Sequence, residues 1–531
     1  MFDLAILNGT IVDGTGRKGF RADLGVVGDS IVCVGELGGR DTRRVIDATG
    51  MVVAPGFIDV HTHSDDTVLA NPKMESKVRQ GITTEVCGNC GDSAAPVQGQ
   101  AEIGARKQLQ RYGVELSWHS LEEWFQRLGD QGVSTNVVTL IGHGTLRASV
   151  MGHAMRPPMQ EEMLAMRSLL AESMEAGAFG LSTGLIYPPS SYAELDELVE
   201  LSRVAASYGG LYASHLRNEG DRLIEAVAEA VAIGEKAGIP VELSHHKAAG
   251  KANWGKVQQS LELIEKARRR GLDVSLDQYP YTASSTGLSV VLPDWVHEGG
   301  DEAMVERLKE PALRAKIASE VRSVRPGWEN PANTSGWHNI VLATCRSDPG
   351  LEGKSISEIS QSLGRDPVEA AFDLLIANEG SLAVIIFSMC EDDVQAVMRY
   401  PPTMVGSDAS AKAPYGPTSQ GKPHPRAYGT FPRVLGRYVR ELGVLGWEEA
   451  VAKMTSQPAA KLGLSKRGVI AEGNHADVVV FDPRTVSDQG TFTEPHRYPV
   501  GIAHVVVNGT VTLDGGEHTG ALSGRILKRG R

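Results

Sequence analysis

The sequence is short of cysteine: five in 531 residues, at Cys33, Cys87, Cys90, Cys345 and Cys390, odd in number and without regular spacing. That excludes a disulfide framework as the basis of the fold. It has no clustered Lys/Arg stripe and a formal net charge of −12, which argues against a nucleic-acid-binding surface. The short basic run at 525–531 reads as a solvated terminus rather than a binding arm. No apolar run is long enough to span a bilayer. The opening Asp3-Leu4-Ala5-Ile6-Leu7 has neither a basic n-region nor a long apolar h-region. Internal repeats, coiled-coil heptads and low-complexity segments are missing as well. The expectation is a cytoplasmic protein without nucleic-acid or membrane partners, and with 41% hydrophobic residues it has material for a large core.

Against these absences one stretch stands out: Pro55-Gly56-Phe57-Ile58-Asp59-Val60-His61-Thr62-His63. It reads as a short buried strand opened by a Pro-Gly turn and closed by two histidines. Alternate strand residues share a face, so His61 and His63 point the same way. Two imidazoles on one face past an apolar strand suit a divalent metal such as zinc, and the polar Ser64-Asp65-Asp66 follows directly.

The ends of the chain share a texture of short β-runs and glycine turns. Asn8-Gly9 and Asp13-Gly14 near the start, and Asn508-Gly509 near the end, are hairpin signals. Neither end buries much surface alone, so we expect 1–54 and 465–531 to pair into one small β-domain. Between them, at 55–464, apolar runs alternate with helical patterns such as 161–175, 192–208, 221–237 and 254–270, which argues for βα units around a parallel sheet. The length suits an α/β protein with a full (β/α)8 TIM-like barrel. Nine runs compete for eight strand places, the excess one being either Leu272–Leu276 or Ala383–Phe387. Residues 288–340 interrupt the rhythm and are expected to form a small inserted subdomain near the barrel mouth. The irregular stretch 408–432 reads as an active-site loop.

In such a barrel the C-terminal strand ends converge on one face. Those ends carry His61 and His63, Cys87-Gly88-Asn89-Cys90-Gly91, His143, Ser214-His215, Ser244-His245-His246 and Gly406-Ser407-Asp408. Metal-ligand chemistry recurs there more densely than 15 scattered histidines would place it. Cys87 and Cys90 are three apart, so at most one faces inward if the strand continues; Cys87 reads as a buried small hydrophobe. Adjacent His245 and His246 point to opposite sides, and parity alone does not choose between them.

Gly56-Phe57-Ile58-Asp59 leading to His61 and His63 resembles the first barrel strand of the amidohydrolase superfamily of metal-dependent hydrolases. Gly88-Asn89-Cys90-Gly91, Tyr212-Ala213-Ser214-His215, Ser244-His245-His246-Lys247, Gly406-Ser407-Asp408 and His424-Pro425-Arg426 narrow the likeness. Together they resemble the D-aminoacylases, or N-acyl-D-amino-acid deacylases, over nearly the whole chain. The resemblance implies a metal-dependent hydrolase barrel with a split β-domain, in which a cysteine replaces the carboxylated lysine that bridges two metals in many relatives. It implies a tight zinc on Cys90, His215 and His245, and a second, weaker metal site on His61 and His63 with Cys90. Asp408 would then shuttle the proton between water and the leaving nitrogen; a turn or N-cap aspartate is the plainer reading of the same residue. Ala409 departs from the glycine usual after that aspartate. Lys247, Tyr187, Tyr279, Tyr281, Ser285 and Arg426 lie on loops expected at the mouth, where a substrate carboxylate needs cations and hydroxyls. The expected reaction is hydrolysis of the linear amide of a small-molecule N-acyl-D-amino acid. A cyclic-amide hydrolase of the hydantoinase or dihydroorotase kind, and a non-catalytic scaffold on the same fold, are the alternatives. Cys90 in place of a bridging lysine weighs against the first, and the full ligand set against the second.

Overall fold

The computed structural model describes residues 1–38 and 41–530. Both chain ends build one sheet, nine-stranded among the described residues. Phe2–Ile11 pairs with Phe20–Val27, Thr42–Asp47 and Val52–Pro55. Val52–Pro55 pairs antiparallel with Val478–Phe481, which leads into Ile502–Val507 and Thr510–Asp514. The period of two sorts the side chains. Val478 and Val480 face a core with Leu4, Ile6, Leu24 and Val26, whereas Val479 and Phe481 turn toward the barrel and join its core.

The barrel strands, all parallel, are Phe57–Asp59, Ile82–Cys87, Asn136–Thr139 continued by Ile141–Gly142, Gly180–Gly184, Leu211–His215, Val241–Leu243, Val274–Gln278 and Thr403–Val405. The last strand closes on the first through the Thr62–Ala409 bridge and the Asp408 N–H donated to the His61 carbonyl at 2.8 Å. Inside, Ile58, Val86, Val138, Leu140, Ala213 and Met404 pack in layers, sealed below by Leu462 and Leu527. The basic terminus is therefore not a solvated tail. Gly524, Leu527 and Arg529 donate backbone N–H groups to Val133, Val137 and Gly177, so the segment binds under the barrel floor; residue 531 lies outside the described residues.

Pairing resolves the ninth strand. Val274–Gln278 is in the barrel, while Ala383–Phe387 pairs antiparallel with Ala283–Gly287 and Ile340–Leu342 in a separate sheet. Helices such as Asp301–Lys309, Pro311–Arg322 and Pro367–Ala377 pack against that sheet around a second core with Leu288, Met304, Ile317 and Phe372. This sheet and its helices lie between residues 283 and 387 and include the stretch 288–340. Its first strand, Ala-Ser-Ser-Thr-Gly, carries no apolar alternation to announce it and is held by its neighbour's Ile385 and Phe387. No helix among the described residues is long and apolar enough to cross a membrane.

Candidate metal centre

Four strand ends aim side chains at one point. Cys90 Sγ lies 3.3 Å from His61 Nε2, 3.4 Å from His245 Nε2 and 3.7 Å from His215 Nδ1. Ligands held about 2.0–2.3 Å from a tetrahedral ion are roughly 3.5 Å apart, so these spacings fit a single zinc-sized cation. One ligand atom from each of His61, Cys90, His245 and Asp408 fits within a 4.8 Å cluster; His215, Glu219 and His245 form an overlapping one. A sulfur, imidazole and carboxylate donor set is the one zinc uses. His215 Nε2, buried, has no hydrogen-bond partner.

The loop that carries Cys90 depends on two close approaches. A Cβ on Gly88 would stand 2.0 Å from the Leu140 carbonyl oxygen, and one on Gly184 2.1 Å from that of Cys90. Those glycines let the loop fold back over the strand ends. Burial alone would raise the Cys90 thiol, but the His61 and His245 imidazoles, with a hydrogen bond from His215, hold it well below its ordinary range.

Carboxylates orient the imidazoles. Asp277 Oδ2 is 3.1 Å from His61 Nδ1, and its Oδ1 accepts the His245 backbone N–H at 2.9 Å. Glu219 Oε1 is 3.1 Å from His245 Nδ1 and 2.5 Å from Lys247 Nζ. Neither acid was assigned a role from the sequence. Asp277 lies at the end of a barrel strand, the position that singled out Asp408, and Glu219 lies four residues past His215 on the loop after its strand; those were the available signals. His63 Nε2 lies 3.0 Å from Asp408 Oδ1, at the edge of the cluster around Cys90. Burial opposes the Asp408 charge, but Arg426 at 2.8 Å, with the surrounding histidines, holds that carboxyl well below the usual range.

The remaining candidates divide. Cys87 is fully buried, 3.6 Å from the Thr62 hydroxyl, and packs in the core. His246 bonds Ser260 at 2.8 Å, and His143 is held between Ser190 and Glu197 at 2.8 and 3.0 Å; both anchor structure away from the metal cluster. A chamber of about 620 Å³ opens over the cluster, and Tyr187, Lys247, Tyr279, Ser285 and Arg426 all line it. The Tyr187 hydroxyl is 3.0 Å from Thr286 Oγ1. Tyr281 does not reach the chamber. Past Gln278 the strand ends, and the Tyr281 N–H bonds back to the Tyr279 carbonyl in a tight turn. That turn directs the Tyr281 ring against His424 and Phe492.

The family model described as "Amidohydrolase family" matches residues 44–513. The chain is 40% identical to an N-acyl-D-glutamate deacylase of Alcaligenes xylosoxydans xylosoxydans, over 99% of this chain and 96% of that one. It is 38% identical to a D-aminoacylase of the same organism, over 99% and 98%. A crystal structure of N-acyl-D-glutamate deacylase from Bordetella bronchiseptica, complexed with zinc and a phosphonate mimic of the tetrahedral intermediate, superposes with a TM-score of 0.82. The two share 38% identity over 99% of each chain. With a barrel closed by the strand that bears Asp408 and a cysteine at the centre of its histidines, the chain belongs to the amidohydrolase family, among its D-aminoacylases and N-acyl-D-amino-acid deacylases.

Proposed function

We propose that this chain is a zinc-dependent amidohydrolase that converts N-acyl-D-amino acids to a carboxylate and a free D-amino acid. The observation that carries the reading is Cys90 Sγ within 3.3–3.7 Å of three histidine nitrogens, with Asp408 completing the cluster. In this reading Cys90, His215 and His245 hold the tight zinc, and His61 and His63, with Cys90 and Asp408, offer a second, weaker position. When bound, zinc supplies Lewis acidity toward the acyl carbonyl and toward water.

The chain's own residues do the rest. Asp277 and Glu219 fix which imidazole nitrogens face the cluster, so the ligand geometry is set before substrate arrives. Asp408 Oδ1 accepts the proton of the attacking water and hands it to the leaving nitrogen, so no covalent acyl-enzyme is required. Arg426, Lys247, the Tyr279 hydroxyl and Ser285 receive the substrate carboxylate and set the amide across the cluster. The inserted unit at 283–387 walls the chamber through Ser284, Ser285 and Thr286. Residues 55–464 form the catalytic unit, and 1–54 with 465–531 the β-domain that braces it. Cytoplasmic location belongs to the same proposal: five unpaired thiols, one of them needed as a thiolate, suit a reducing compartment. The cysteine where a bridging lysine would stand favours linear over cyclic amides.

Asp408→Asn tests the mechanism. It keeps the shape but cannot take a proton, so kcat should fall by at least about 10²–10⁴-fold. Zinc should remain on Cys90, His215 and His245. Near-normal turnover with zinc retained would remove Asp408 from the reaction.

A further inference from the structure

The chamber is larger than an acetylated amino acid needs. Its volume of about 620 Å³ would hold about twenty waters at about 30 Å³ each, whereas N-acetyl-leucine has about a dozen non-hydrogen atoms. The demand for polar partners inside it is one-sided. Among the described residues, the chamber's buried side-chain polar atoms without a hydrogen-bond partner belong to His215, Tyr279, Ser335 and Arg426. All four come after the fifth to eighth barrel strands. Arg426 has an ionic partner in Asp408 at 2.8 Å, but the Tyr279 hydroxyl, on a side chain only 2% exposed, has none.

The wall that follows the first three strands is already satisfied. Trp118 Nε1 donates to the Ala94 carbonyl at 2.8 Å, and the Gln100 side-chain oxygen accepts the His153 backbone N–H at 3.0 Å. Asp65 accepts the Gly88 N–H at 2.9 Å and Asp92 the Thr145 hydroxyl at 3.2 Å, while burial pushes the Asp66 carboxyl up. The helix after the second strand, Gly99–Gln110, turns Gln100, Ala101, Gly104, Ala105 and Gln108 to the chamber, the spacing of a single helix face. Ala101, Gly104 and Ala105 leave that face nearly flat. Gly104 is exposed, and a Cβ built on it would meet no atom within 4 Å.

We propose, resting on the function above, that the substrates of this chain carry a medium-length apolar acyl chain, received along the face of helix Gly99–Gln110. With the amino-acid carboxylate on Lys247, Tyr279 and Arg426 and the amide over the Cys90 cluster, a trans amide sends the acyl chain away from the amino-acid Cα. Lys247 follows the sixth strand, and in an eight-stranded barrel the sixth stands opposite the second, which leads to this helix. Methylenes entering there leave water without stranding a donor or acceptor, because that wall has its hydrogen bonds made.

The test is kcat/KM on the zinc-loaded enzyme for N-acetyl-, N-butanoyl- and N-hexanoyl-D-leucine. Burying a methylene is worth about threefold, so the hexanoyl derivative should exceed the acetyl one by at least about tenfold. Gly104→Phe puts a ring into the open space and should lower the hexanoyl-to-acetyl ratio about tenfold. Should that variant fail to fold, Ala105→Leu should lower the ratio by a smaller factor. A series that is flat or falls with chain length would overturn the acyl preference while leaving deacylation intact. An unmoved ratio in the folded variants would overturn the role of the helix. Preference for N-glycyl- over N-propanoyl-D-leucine, which match in size but differ by an ammonium, would give that wall to a cation and overturn its apolar role. No turnover of any derivative would instead overturn the proposed function, and this inference with it.

Discussion

Cys90, His245 and Asp408 share a backbone conformation that side chains bearing a Cβ avoid, with φ of 52°, 35° and 49°. Each such residue costs on the order of 1–2 kcal/mol, and each comes within three residues of the end of a barrel strand. The left-handed step bends the chain off the strand direction while its side chain stays over the barrel axis, so local strain is spent on convergence. Asp408 shows what holds the strained residue in place: its N–H donates to the His61 carbonyl, and Ser407 N–H donates to Asp59 Oδ1, both at 2.8 Å. Asp59 is in turn bonded by the fully buried Lys77 at 2.9 Å. The two nearby cysteines separate metal binding from packing. Cys90→Ala should strip bound zinc and abolish turnover with little loss of folding stability. Cys87→Ala, at a fully buried core position, should keep zinc and activity and cost about 1 kcal/mol of stability. Elemental analysis beside thermal melts checks both, and full zinc occupancy in Cys90→Ala would contradict the assignment.

Among the elements, the loop after the last barrel strand is tied to the inserted unit by one histidine. His424 Nε2 lies 2.9 Å from the Ala283 carbonyl oxygen, and its Nδ1 accepts the Arg426 backbone N–H at 3.0 Å. Both nitrogens are used in the neutral ring, and burial, reinforced by the Arg426 charge, holds its pKa well below the ordinary value. The unfolded chain takes up that proton near pH 6.5 and the folded chain does not. The resulting stability is therefore complete above about pH 6.5 and is lost as pH falls from there toward the folded pKa. His424→Asn should melt lower than wild type at pH 7.5 but show a shallower decline between about pH 7 and 5; parallel melting curves would contradict this. The same elements mark what a sequence reveals. His61 and His63 stood out in the sequence because they follow directly on a short apolar strand, Phe57–Asp59. Tyr281 was placed at the mouth because it lies on a loop past a strand end, and the turn after Gln278 sets its ring against His424 and Phe492. Asp277 and Glu219 act across strands on His61 and His245, and no local pattern encodes those partners. Ala283–Gly287 was not legible as a strand because it is one by virtue of its neighbour rather than its own residues.

At the scale of the molecule, the two-ended sheet and the barrel are one packing unit. Phe57, which begins the histidine-bearing strand, stacks on Phe431 at 5.6 Å and meets Phe481 of the sheet at 6.5 Å. Arg467 pairs with buried Asp477, whose carboxylate also reaches Asn136 in the third barrel strand at 3.3 Å. The C-terminal residues then close the floor under Val137 and Gly177. The frame leaves a chamber at one end of the barrel, with Cys90 and its histidines below and Lys247, Tyr279 and Arg426 in its wall. In the proposed reading one bound metal, held through Cys90, turns this barrel into a hydrolase for D-configured linear amides. The most direct measurement is release of free amine from N-acetyl-D-leucine and N-acetyl-L-leucine by the purified chain, before chelation, after chelation and after zinc is restored. The account predicts turnover of the D form alone, its loss with chelator and its return in proportion to bound zinc. Undiminished turnover after complete metal removal, or equal use of the L form, would contradict it.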